Sequence, residues 1–90
     1  MLKISFTNQY IKDLELMKLR NLPKSELDAV VKLLSEEQSL PLKYKDHALK
    51  GNFSGYRECH IRPNWLLMYK IDKIILTLVL VRTGSHSDLF

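Results

Sequence analysis

Hydrophobic and polar positions change rhythm twice along this chain. At the start Leu2, Ile4 and Phe6 alternate with Lys3 and Ser5, the two-residue period of a short strand with one buried face. From Thr7 onward the period lengthens. Tyr10, Ile11, Leu14 and Met17 recur at three- and four-residue spacing, which predicts a helix capped by Thr7 that frays near Asn21, before Pro23. A second helix follows, with Ser25 as its N-cap, Glu26 and Asp28 in the first turn where the helix dipole favours negative charge, and Leu27, Val30, Val31 and Leu34 as its apolar stripe. Pro41 stops it. Neither helix carries recognisable chemistry, and their charges read as solvated faces.

After Pro41 the period returns to two. Tyr56 to Arg62 alternates, Arg62-Pro63-Asn64-Trp65 reads as a tight turn, and Trp65 to Ile71 forms the next strand. Asp72-Lys73 is the expected connection to a last strand, Ile74 to Arg82, which is apolar on both faces as strands inside a covered sheet are. The expected fold is α+β, in the order β-α-α-β-β-β, with the two N-terminal helices packed on one face of a mainly antiparallel sheet. The other face is left for a site.

Composition narrows the class. Ninety residues with 46% hydrophobic content, undivided by any Pro/Gly/Ser-rich linker, suit one domain over 1–90. The longest apolar run, Ile74 to Val81, is interrupted by Thr77 and falls short of a membrane span, so no membrane partner is expected and the chain reads as cytoplasmic. A single cysteine, Cys59, agrees with a reducing compartment and reads as a small buried hydrophobe. Charge is unevenly placed: residues 1–42 hold six Lys/Arg and six Asp/Glu, whereas residues 43–90 hold eight against four. All of the net +4 therefore lies in the second half, as suits a polyanionic partner.

That half also gathers the candidate chemistry. Two of the three histidines, the only Trp and the only Cys fall between Tyr44 and Trp65. Strand parity puts Tyr56, Glu58, His60 and Arg62 on one face and Arg57, Cys59 and Ile61 on the other, so Glu58 and His60 sit side by side on the more polar face. A carboxylate beside an imidazole can orient it or act as a base itself. The tail adds Arg82, a Gly84 that allows a sharp change of direction, then His86 and Phe90. An arginine near a histidine can stabilise phosphate charge and deliver a proton, and Phe90 or Trp65 can stack on a base. Parity leaves the face of Arg82 open. A metal site from His47, Cys59, His60 and His86 is disfavoured because Cys59 and His60 point to opposite faces.

The order Lys45-Asp46-His47-x-Leu49-x-Gly51, Tyr56-Arg57-x-x-His60-x-x-Pro63-x-Trp65, then Arg82-Thr83-Gly84-x-His86-x-x-Leu89-Phe90, resembles the YafQ-type toxins of bacterial toxin-antitoxin pairs, within the RelE-like superfamily. The resemblance covers the whole chain. It implies a ribosome-dependent mRNA endonuclease, or mRNA interferase, that works on mRNA in the ribosomal A site against ribosomal RNA and is held inactive by a cognate antitoxin. It also implies that His47, His60, Arg82, His86 and Phe90 belong to the active site. One position departs from the pattern: Asn64 stands where such enzymes often carry an aspartate, and an amide cannot serve as a general base near neutral pH.

The mechanism expected on this basis needs no cofactor and no metal, because RNA supplies its own nucleophile, the 2′-hydroxyl. His86 is expected as general acid, Arg82 as stabiliser of the charged phosphorane, and His47 or His60 as base, with Glu58 as orienter or alternative base. Lys43, Lys45, Lys50, Arg57 and Arg62 are the candidates for phosphate contacts, with Trp65 for base stacking. The alternative is a non-catalytic basic module that binds RNA or the ribosome; the gyrase poisons of the same fold lack this histidine set.

Overall fold

The computed structural model describes residues 1–90. Its elements are β1 (Lys3–Phe6), α1 (Asn8–Leu19), α2 (Lys24–Ser35), β2 (His47–Ala48), β3 (Arg57–Arg62), β4 (Trp65–Asp72), β5 (Thr77–Gly84) and a short α3 (His86–Leu89), with single 3-10 turns at Leu42–Tyr44 and Gly51–Phe53. The five strands form one sheet in the order β1-β5-β4-β3-β2, antiparallel except for the parallel pair β1 and β5. No helix is long and apolar enough to cross a membrane.

Thr7 caps α1 as the pattern predicts, accepting the Tyr10 N–H at 3.0 Å, while its own hydroxyl donates to the Val81 carbonyl at 2.8 Å. One threonine thus starts a helix and fixes it to β5. Ser25 does not cap α2. The helix begins two residues earlier, at Lys24, behind Pro23, whose φ of −74° is already helical. Asn21 at φ 61° and Glu37 at φ 56° turn the chain out of the two helices.

Met17, Leu27, Val30 and Leu34 from the helices pack on Cys59, Leu67, Tyr69 and Leu78 from one sheet face. Each buried leucine there contributes about 1.5–3 kcal/mol. The expected buried face of β1 is not buried: Leu2 is covered, but Ile4 and Phe6 are 47% and 54% exposed, because they line an open groove with Tyr10, Ile11 and Leu14 of α1 and Val31 of α2.

The last connection also differs from expectation. Asp72 Oδ1 accepts the amides of Ile74 (3.0 Å) and Ile75 (3.2 Å), which ends β4 in a turn through Leu76 at φ 50°. Ile74, Ile75 and Leu76 are therefore exposed turn residues, and β5 starts at Thr77. The tail is helical rather than irregular. Ser85 closes a capping box with Asp88, and Gly84 is needed for space rather than for turning, since a Cβ there would lie 2.9 Å from Asp88.

Candidate active site

Register across the sheet builds the site. His47 faces Glu58, Glu58 faces Met68, and Met68 faces Arg82, so four strands contribute one row of side chains to the face away from the helices. The next row runs from His60 through Leu66 to Gly84, from which the chain enters α3 at His86. Register thus puts Arg82 in the row of Glu58 and Met68, while its guanidinium reaches α1. An extra residue in β5, Val81, shifts the register and brings Arg82 opposite Met68.

Glu58 is the centre of this cluster. Its side chain is only 3% exposed, and its Oε1 lies 3.7 Å from His47 Nε2 and 3.8 Å from His60 Nε2. Its Oε2 is buried with no hydrogen-bond partner. An unsatisfied buried carboxylate oxygen is destabilising, by about 1–3 kcal/mol or more, and such atoms in native folds point to function. Each imidazole turns its other nitrogen to a backbone carbonyl: His47 Nδ1 to Lys45 O at 2.7 Å, and His60 Nδ1 to Pro63 O at 3.2 Å. Carbonyls only accept, so Nδ1 carries the proton in both rings and Nε2 is the nitrogen turned to Glu58.

Arg82 is held in place by Asp13, whose charge the helix pattern presents as solvated. Its Nε and Nη2 donate to the two oxygens of Asp13 on α1, both at 3.0 Å, and the Thr83 amide donates to the same carboxylate at 3.2 Å. Burial pushes the Asp13 carboxyl up, but the hydrogen bonds from Arg82, Gln9 and Thr83 outweigh it and hold the group below its usual range. β1 ends opposite Leu80, so the Thr83 amide has no strand neighbour and Asp13 replaces one. The signal was present: Asp13 lies on the buried stripe of α1, between Tyr10 and Met17 at three- and four-residue spacing.

The third histidine sits on α3. Its amide approaches Asn64 Oδ1 at 3.5 Å, and its ring lies 5.3 Å from Phe90, which packs edge-on against Phe53 at 5.2 Å. Asn64 therefore serves as an acceptor beside His86, a role open to amide and carboxylate alike. Asp88 anchors α3 to the end of α1. Arg20 grips both its oxygens, at 2.6 and 3.1 Å, and this pairing, with the Ser85 amide, holds its carboxyl well below the usual range.

Three expected contact residues have other places. Trp65 is 2% exposed, inside the core, with Nε1 donating to Thr83 Oγ1 at 2.9 Å, so no base can stack on it. Arg57 projects to the helix face, where it donates to Asp46 (3.2 Å) and the Tyr69 hydroxyl (3.3 Å). Arg62 forks onto Glu26 of α2 at 3.0 and 2.5 Å. With Arg20 and Arg82, every arginine of the chain is paired with a carboxylate. Lys43, Lys45 and Lys50 make no ion pair, so the free cations near the histidines are lysines.

Cys59 points into the core, and burial pushes its thiol up to about 12, which removes it as a nucleophile or metal ligand. No three His, Cys, Asp or Glu donors are arranged to hold an ion.

Residues 2–90 match the family described as bacterial toxin of type II toxin-antitoxin system, YafQ. The chain is 40% identical over 88 residues to the mRNA interferase toxin YafQ of Escherichia coli K12, covering 97% of this chain and 94% of that protein. Among solved structures, a metal-bound toxin from Helicobacter pylori superposes with a TM-score of 0.95 at 47% identity, with all of both chains covered. The chain also superposes on a structure of the Escherichia coli DinJ-YafQ complex with a TM-score of 0.90 at 35% identity, covering 100% of this chain and 99% of that one.

Proposed function

The chain belongs to the YafQ family of bacterial type II toxins, and on that premise we propose that it cuts translated mRNA on the ribosome by general acid-base catalysis without a metal. The observation that carries this reading is the buried Glu58 flanked by two imidazoles, in one row with Arg82. The Escherichia coli relative's name, mRNA interferase, supports the substrate, and the DinJ-YafQ complex supports a cognate antitoxin as partner.

His47 is the better placed base. Its side chain is 49% exposed, against 20% for His60, so its Nε2 can reach a 2′-hydroxyl. Taking that proton makes an imidazolium beside Glu58, whose charge stabilises it. The 2′-oxygen then attacks phosphorus in line, the bond to the 5′-oxygen breaks, and His86 protonates the departing oxygen. The products are a 2′,3′-cyclic phosphate and a free 5′-hydroxyl. His60, the second neighbour of Glu58, lines the other side of that carboxylate, its Nε2 3.8 Å from Oε1.

Arg82 keeps Nη1 unengaged by Asp13, which leaves a fixed N–H donor for a phosphoryl oxygen of the phosphorane. Asp13 cancels most of its field, so long-range attraction of RNA falls to Lys43, Lys45 and Lys50, with Phe90 beside His86 as the exposed aromatic for a base. A Helicobacter pylori relative is metal-bound; the mechanism proposed here gives every step to a side chain and routes none through a metal.

The test is primer extension on cellular mRNA after brief induction, with His86→Ala and Arg82→Ala alongside and their folding checked by circular dichroism. Cuts inside translated codons that vanish in the variants are expected. Intact mRNA under an arrested culture would replace this reading with ribosome binding without cleavage.

A further inference from the structure

A cavity of about 600 Å³ opens between the first turns of α2, the 3-10 turn at Leu42–Tyr44 and the end of β3. Its size falls within the roughly 300–1,000 Å³ of ligand sites, enough for one nucleotide. Ser25 and Ala29 form one wall, Lys43, Tyr44 and Lys45 the opposite one, and His60 stands at the boundary with the catalytic face.

Two properties tie this cavity to the chemistry next door. The carbonyls that orient the two imidazoles belong to its walls: Lys45 O receives His47 Nδ1–H, and Pro63 O receives His60 Nδ1–H. Its cations are also open to an anion, because Lys43, whose Nζ lies 5.1 Å over the Tyr44 ring, and Lys45 have no carboxylate partner while Arg62 is already forked onto Glu26. The Ser25 hydroxyl makes no hydrogen bond within the chain and is free to meet a base edge.

Resting on the nuclease reading above, we propose that this cavity is the subsite for the ribonucleotide that flanks the scissile phosphodiester. Its base sits against Ala29 and Tyr44, and its phosphate is met by Lys43 and Lys45. Filling the subsite presses on the segments whose carbonyls aim His47 and His60, so occupancy and base orientation are linked. α2, which the sequence pattern presents only as a cover for the sheet, thereby becomes part of substrate selection.

The experiment uses the whole chain in two arms. The first titrates it with a hexaribonucleotide made uncleavable by 2′-O-methyl groups and follows backbone amide shifts. The second compares ribosome-dependent cleavage by wild type and Ala29→Trp, which fills the cavity from an exposed helix position. Shifts at Ser25, Ala29 and Tyr44, together with a roughly tenfold rise in KM and a much smaller change in kcat, are expected. Shifts confined to the His86 and Phe90 end with KM unaltered would overturn the subsite and leave the nuclease standing. A variant that cuts normally but escapes neutralisation by its antitoxin would overturn it in favour of a protein-binding cavity. Wild type that cuts no mRNA would overturn the nuclease reading, and the subsite with it.

Discussion

Replacing Asp13 tests whether one helix carboxylate really holds the arginine end of the site. Asp13→Ala removes a bidentate partner from Arg82 and the only acceptor of the Thr83 amide, in a side chain 7% exposed. Hydrogen bonds to a charged group contribute about 1.5–3 kcal/mol, discounted here because Arg82 is 30% exposed, and an orphaned buried amide costs about 1–3 kcal/mol. Alanine returns roughly 0.5 kcal/mol through its helix propensity. The net loss should be about 2–4 kcal/mol, or a fall in Tm on the order of 10–20 °C for a domain of this size. Asp13→Asn keeps an acceptor for the amide and should lose only about 1 kcal/mol. Urea unfolding of the three proteins without antitoxin measures this. The sign with pH follows from the lowered carboxyl: its contribution is present above the ordinary carboxylate value of about 3.9 and is lost as pH falls through the folded-state value. Wild type and Asp13→Ala should therefore converge in strong acid. Equal stability of the two at pH 7, within about 0.5 kcal/mol, would show that the pairing contributes nothing and that Arg82 is positioned by something else.

Asp88→Asn should weaken the docking of α3 throughout the neutral range, whereas wild type holds that contribution in full above the ordinary carboxylate value and loses it progressively as pH falls from there through the lowered folded-state value; a stability–pH profile showing parallel curves would contradict it. Trp65→Phe should cost about 1–3 kcal/mol in urea unfolding, through the lost Thr83 bond and the void left behind, with RNA affinity of the folded protein unaltered. Cleavage of ribosome-bound mRNA should be unaffected when toxin pretreated with EDTA and freed of the chelator is assayed; loss restored by one added transition metal would refute metal-independent catalysis.

Strand parity located Glu58 and His60 on one face because alternation is a local property, and Thr7 announced its helix for the same reason. What escaped depends on distant partners. Parity alone puts Arg57 with Cys59 and Ile61, but nothing local shows that Asp46, eleven positions away, receives it. Trp65 opens a run through Tyr69 that is buried on both sides, a pattern that already argued against an exposed ring. Ile74 to Leu76 looked like strand by composition, and only the Asp72 side chain capturing their amides shows why it is turn. The pairing of Arg82 with Asp13 spans 69 positions, beyond the reach of any local pattern.

That span bears on the chain's own synthesis. β1 pairs with β5, and Asp13 waits for Arg82, so neither the sheet edge nor the row that carries Arg82 exists while residues near 80 are still inside the exit tunnel of the ribosome translating them. Contacts between distant segments also form late, because loop closure precedes any reward. A nascent chain built this way holds Asp13 without its partner until Arg82 has left the tunnel.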